Sequence, residues 1–326
     1  ADGFGVAEDP EGLDHSELLR LFNEGLPITS FNKSHLSSEG IMMEATTDEG
    51  MNRRNSMHFR VKSDAFIPAG GRPNTINADN CMQFFDAEGN PSSPLIVEGA
   101  NIFITNEARE MLYEKCGLPI VKDSSANKCG VITSSNEIAA SMLLSKEEFI
   151  ACKPELVKDV IGLIKYYAKK EAELLFKEYN NYPGNLPHFS QRISMAINKV
   201  TDAINTHLQG TKPGDEKFEE VFPAVFDTLP NHLKEIAGDR VRTHFPLEYQ
   251  HAAIACVLAN RLVYNEGINF VEAQPDAWVA ERAIEYYKAQ KRINKLLEDS
   301  ETSPEAKTEM LDLIRRGGAR TALGVF

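Results

Sequence analysis

The chain has 326 residues, 42% hydrophobic and 25% charged, with a formal net charge of −13. At about 100–200 residues per domain, that leaves room for roughly two domains, each able to bury a core. The acidic balance disfavours nucleic acid and anionic lipid as partners, and no apolar run approaches the roughly 20 residues of a membrane-spanning helix.

In chain order, residues 14–25 set Leu18, Leu19 and Phe22 on one helical face and close on glycine, which predicts a first helix. Residues 65–68 (AFIP), 94–97 (PLIV) and 118–121 (LPIV) are short apolar runs between turn residues. They read as buried parallel strands, which are apolar on both faces. Residues 106–117, with an acidic first turn and a terminal glycine, predict a helix between the last two runs and so a βαβ unit. An α/β architecture follows for residues 1–145. From Lys146 onward an apolar stripe with Lys and Glu opposite predicts a long helix over 147–180. Further helices are predicted over 188–208, 247–265 and 277–297, with turn chemistry between them, so residues 146–326 read as all-α.

Four clusters fall at the C-terminal ends of predicted strands, where open parallel sheets bind ligands through unpaired strand-end and helix N-terminal donors. In ADGFGVAEDPEGLD (1–14), Asp2 is placed to hold ribose hydroxyls and repel a 2′-phosphate; the alternative is that it only makes a turn. In DAFIPAGGRPN (64–74), Pro68, Ala69 and Gly70 let the backbone approach a ligand, or merely turn tightly into a helix. In IVEGANIFIT (96–105), Glu98 and Asn101 flank Gly99 and either orient a ligand or satisfy loop backbone. In KDSSANKCGVITSSNEIAA (122–140), Ser134 and Glu137 fit a capping box opening an apolar helix. Ser134 there either only caps the helix or also offers its hydroxyl to a substrate carboxylate.

The histidines form no metal-binding spacing, and His244 and His251 read as structural. Five scattered cysteines without CxxC spacing argue for reduced thiols, hence the cytosol or the mitochondrial matrix, and against a zinc site. The N-terminus is neither basic nor followed by an apolar stretch, so no signal or transit peptide is expected.

DAFIPAGGRPN, PLIVEGANIFIT and KDSSANKCGVITSS, in this order and spacing and with DPEGLD upstream, resemble the large NAD-dependent glutamate dehydrogenases of fungi, protists and bacteria. SMAINKVTDAI (194–204) and VLANRLVYNEGI (257–268) match the family more loosely. The resemblance implies a partial Rossmann-like, doubly wound, mostly parallel sheet followed by the helical region. It implies NAD as cofactor and L-glutamate, 2-oxoglutarate and ammonia as substrates and products. Ser134 would contact the side-chain carboxylate of glutamate and Val131 would border the substrate. Asn127 and Asn101 would lie beside the nicotinamide and its ribose, Pro68, Ala69 and Gly70 beside the adenosine, with Asp2 as a possible ribose ligand. Cys129-Gly130 stands where smaller members usually carry Gly-Gly.

No GxGxxG follows a strand in this sequence. The resemblance implies that the family's catalytic lysine and aspartate lie upstream of Ala1, in an N-terminal remainder of the same enzyme, with a homo-oligomer as the assembly. Two other readings are a branched-chain or aromatic amino-acid dehydrogenase, against which the Ser134 hydroxyl argues, and a non-catalytic nucleotide-binding or assembly module.

Overall fold

A short antiparallel ladder opens the chain, β1 (Gly5–Glu8) against β2 (Ile41–Glu44), with Val6 opposite Met43. Between them lies α1 (His15–Glu24), as residues 14–25 predict, capped by the Asp14 carboxylate at one end and by Gly25 in the left-handed conformation at the other. Its inward face differs from the expected one. Leu19 and Phe22 are 59% and 82% exposed, while Leu21 joins Ala7, Ile28 and Phe31 in a small core. Glu17 explains the rotation: its carboxylate accepts from Arg20 and from the Asn32 amide, which turns the Glu17–Leu21 face inward. Helix α2 (Asp48–Arg60) then returns Arg53 and Arg60 to Glu8 at the end of β1.

A second small sheet follows. Strands β3 (Ile96–Val97) and β4 (Ile120–Val121) pair in parallel across the crossover helix α3 (Asn106–Cys116), the βαβ unit expected from sequence. Thr105 caps α3, and Gly117, at φ 69°, ends it in a conformation that penalises any side chain. The run at 65–68 contributes a single parallel bridge, Phe66 to Ile96. Phe84, Ile96, Ile104, Leu112 and Ile120 form the core beneath. One turn, α4 (Asp123–Ala126), ends this part.

The helical region comprises α5 (Cys129–Leu143), α6 (Lys146–Asn181), α7 (Leu186–Leu208), α8 (Glu216–Val221), α9 (Asn231–Ala237), α10 (Val241–His244), α11 (Leu247–Glu266), α12 (Ile268–Glu272), α13 (Asp276–Glu298) and α14 (Pro304–Leu313). Its core is built on α7. Ile193, Val200, Ile204 and Leu208 recur at helical spacing, are fully buried, and face α11, whose Ile254, Leu258 and Leu262 are likewise buried. No helix among the described residues is long and apolar enough to cross a membrane.

The chain divides into two compact units, residues 1–127 and 128–326, the first cut lying upstream of the change of texture at Lys146. This computed structural model describes residues 1–70, 72–298 and 301–313; Gly71 of the DAFIPAGGRPN run falls outside them. The architecture is mostly helical with small sheets.

Candidate functional site

Three backbone segments of the first unit lie side by side and point the same way. The Phe66 amide donates to Leu95 O and the Val97 amide to Phe66 O, at 2.9 and 3.0 Å. On the other side of β3 the Ile96 amide donates to Pro119 O and the Glu98 amide to Val121 O, both at 3.0 Å. The chain therefore leaves one edge three times, as Pro68–Ala69–Gly70, as Glu98–Gly99–Ala100–Asn101 and as the turn from Lys122 to Asn127. Gly99 eases the close approach of the first two. A Cβ there would sit 3.2 Å from Pro68 O, so that the neighbouring loop would have to give by a few tenths of an ångström. Around Gly70, by contrast, the space a Cβ would take is open, so backbone there is accessible.

The second and third tips are joined by side chains. Asn127 Nδ2 donates to Asn101 Oδ1 at 2.8 Å, and the Ile102 amide donates to Asp123 Oδ2 at 2.8 Å. Ile102 itself holds φ 55°, a left-handed conformation that a β-branched residue adopts only under constraint. The neighbouring Asn74 amide, donating to Ile102 O at 2.7 Å, is part of that constraint.

Glu98 resolves in favour of loop support. It is fully buried and accepts from Arg109 Nε at 2.8 Å, Arg109 NH2 at 3.0 Å and the Ile104 amide at 3.1 Å. Burial raises its carboxyl above the ordinary range, opposed by the Arg109 guanidinium. Sequence reading passed over both Arg109 and Asp123. The available signal was an arginine three residues before Leu112, on the side of α3 that faces the apolar strands.

Asp2 stands before β1. Its Oδ1 accepts from the Phe4 and Gly5 amides at 2.8 and 3.1 Å, and its Oδ2 accepts from the Ile28 amide at 2.7 Å. Burial raises this carboxyl, and the amides of Ile28, Phe4 and Gly5 together outweigh it, so the group titrates below its usual value. The turn-forming role weighed for Asp2 is thus present, with one acceptor position left on Oδ2.

Val131 and Ser134 belong to the second unit, on α5. The expected capping box is corrected: the helix begins at Cys129, five residues before Ser134, so Ser134 lies in its body. Ile132 is half-buried one turn ahead of buried Asn136 and two ahead of Ala140, so the inward stripe continues upstream and carries the helix with it. Val131, Ser134 and Ile138 share the opposite, exposed face. Ser135 spends its hydroxyl on Val131 O, whereas the Ser134 hydroxyl makes no hydrogen bond among the described residues. The start of α5 is held by Lys128, whose ammonium pairs with buried Glu171 at 2.5 Å; Tyr264 donates to the same oxygen at 2.8 Å.

The family model for glutamate/leucine/phenylalanine/valine dehydrogenase matches residues 1–204. The chain belongs to that family. Over 293 residues it is 33% identical to glutamate dehydrogenase 2 of Dictyostelium discoideum, covering 82% of this chain and 28% of the relative. The NAD-specific glutamate dehydrogenase of Saccharomyces cerevisiae is 33% identical over 301 residues, with 82% and 27% covered. A probable NAD-specific glutamate dehydrogenase of Schizosaccharomyces pombe is 32% identical over 291 residues, with 82% and 26% covered. The chain thus spans a little over a quarter of the length of the curated relatives it matches. Its mixture of helices and small sheets is compatible with an α/β dehydrogenase domain.

Proposed function

We propose that this chain forms part of an NAD-dependent glutamate dehydrogenase, converting L-glutamate to 2-oxoglutarate and ammonia. Family membership carries the reading, joined to the Asn101–Asn127 contact that draws two parallel strand tips together. The three parallel segments are read as part of a Rossmann-like, doubly wound sheet running to about residue 145, with the helical domain at 146–326.

The residues present suit one wall of a dinucleotide site. Open space at Gly70 and the apposed Gly99 and Pro68 loops leave backbone free to approach a ligand without a Cβ between them. Pro68, Ala69 and Gly70 would line the adenosine side, with the remaining acceptor of Asp2 available to a ribose hydroxyl. Asn127 would lie beside the nicotinamide and Asn101 beside its ribose. When bound, NAD supplies the acceptor for the hydride leaving the glutamate α-carbon. The Ser134 hydroxyl donates to the substrate's side-chain carboxylate, and Val131 excludes water beside it. The lysine and aspartate that exchange protons with the imine and its attacking water come from sequence outside these 326 residues, in the N-terminal remainder of the enzyme. A homo-oligomer in a reducing compartment, cytosol or mitochondrial matrix, completes the reading.

Glutamate, leucine and phenylalanine offered with NAD to the native full-length protein test it. Glutamate is expected to be preferred. Ser134→Ala removes a charge-assisted hydrogen bond of about 1.5–3 kcal/mol, so kcat/KM for glutamate should fall about ten- to a hundredfold. Preference for leucine, or an unchanged kcat/KM in the variant, overturns the assignment; NADH binding without turnover would return the non-catalytic module.

A further inference from the structure

In the second unit, α6, α9 and α11 enclose a cleft of about 200 Å³ that the dehydrogenase reading does not use. Three cations line it, Lys170, Lys234 and Arg261, against one carboxylate, Asp227. Asp227 is already neutralised: Arg261 NH2 lies 3.0 Å from its Oδ2 and Lys291 Nζ 3.5 Å from its Oδ1. Lys170 pairs with Glu173 at 3.1 Å, but that glutamate side chain is 50% exposed, and such surface pairs are weak and readily exchanged. Lys234 has no carboxylate within ion-pair distance among the described residues. A chain of net charge −13 therefore gathers unbalanced positive charge at this cleft.

The remaining walls define what would neutralise it. Tyr166 and Tyr264 supply flat apolar faces, and the Tyr264 hydroxyl is fixed by its bond to Glu171 at 2.8 Å. At roughly 30 Å³ per water, the volume exceeds that of an inorganic ion with its first waters. It falls below the roughly 300–1,000 Å³ of sites for drug-sized ligands, so a nucleotide does not fit. The cations, lying on different helices, are suited to a ligand charged at both ends.

We propose that this cleft binds a small dicarboxylate of about four to five carbons, one carboxylate taken by Lys234 and the other by Lys170 and Arg261, with the carbon skeleton against the tyrosine faces. The site is independent of the reading of Ser134 given above. Calorimetric titration of the full chain with succinate, at ionic strength held constant with chloride, tests it. Saturable one-to-one binding is expected, with butyrate, which carries a single carboxylate, binding at least tenfold more weakly. Lys234→Gln and Lys170→Gln should each weaken succinate at least tenfold with unaltered thermal melting, both side chains being only half-buried; Arg261→Gln is avoided because Arg261 also holds Asp227. Ser134→Ala should leave succinate binding intact, which separates this cleft from the proposed substrate contact. Heats equal to those of chloride, wild-type affinity in both lysine variants, or loss of binding in Ser134→Ala would overturn the proposal.

Discussion

At Glu98 a fully buried carboxylate accepts two bonds from Arg109 and one from the Ile104 amide. Arg109 is itself 4% exposed at its side chain, with Asp123 3.6 Å away as its only other carboxylate among the described residues. Removing Glu98 strands a guanidinium in the core, and breaking a buried pair from one side costs about 3–5 kcal/mol. Glu98→Ala is therefore expected to lower the unfolding free energy by about that amount in denaturant melts. Glu98→Gln should lose less, since it keeps an acceptor for Ile104. Replacing both partners, as Glu98→Leu with Arg109→Met, should recover most of the loss. A single variant within about 0.5 kcal/mol of wild type, the range of ordinary surface changes, would show that the pair does not hold the loop. Residue type alone left Glu98 undecided between ligand contact and loop support, because the deciding atom belongs to Arg109, eleven residues on.

Among elements, α6 carries the clearest internal contradiction. It runs unbroken over 36 residues although Pro154 lies inside it. Proline has no amide to donate to Ile150 O and its ring crowds that carbonyl, a penalty of about 3 kcal/mol in a helix interior. Packing overrides it, for Leu156, Leu174 and Leu175 on the same helix are buried. Pro154→Ala is expected to stabilise the protein by about 1–3 kcal/mol, visible as a higher urea midpoint at unchanged slope. An unchanged midpoint would mean that the surrounding packing already absorbs the missing hydrogen bond and the crowding at Pro154. The long helices were legible from sequence because their apolar period extends over many turns. The S-x-x-E pattern was not decisive, because it occurs twice. At 134–137 it lies within α5, whereas at 145–148 it is a true capping box: Ser145 is extended at φ −69°, ψ 165°, and accepts from the Glu148 amide. A cap needs a break in the backbone before it, and Leu144 supplies one that no residue next to Ser134 does. The parallel strands were found by their apolar runs, yet their two-residue length was invisible, since it depends on partners far along the chain.

Across the whole molecule, acid should act unequally on the two units. His58, in the first, stacks on Phe66 with ring centroids 5.5 Å apart, and its Nε2 is buried without a hydrogen bond among the described residues. Burial lowers its pKa to about 4, against about 6.5 for an unfolded histidine. Between those values the unfolded chain holds a proton that the folded chain refuses. The stability contributed by neutral His58 is thus complete above pH 6.5 and is lost as the pH falls towards 4, at no more than about 1.4 kcal/mol per pH unit. In the second unit His207 shifts the same way through burial, but burial raises Glu178, which favours the folded state as the pH falls. The single tryptophan, Trp278, lies in the second unit and reports on it separately. Thermal melts taken from pH 7 down to pH 4.5 should therefore show the first unit, followed by amide-exchange protection at Phe66 and Val97, falling ahead of the Trp278 emission transition. His58→Phe, which preserves the aromatic contact with Phe66 and cannot take up a proton, should remove most of that separation. If both signals fall together and His58→Phe alters neither, the acid sensitivity does not reside in the buried imidazole.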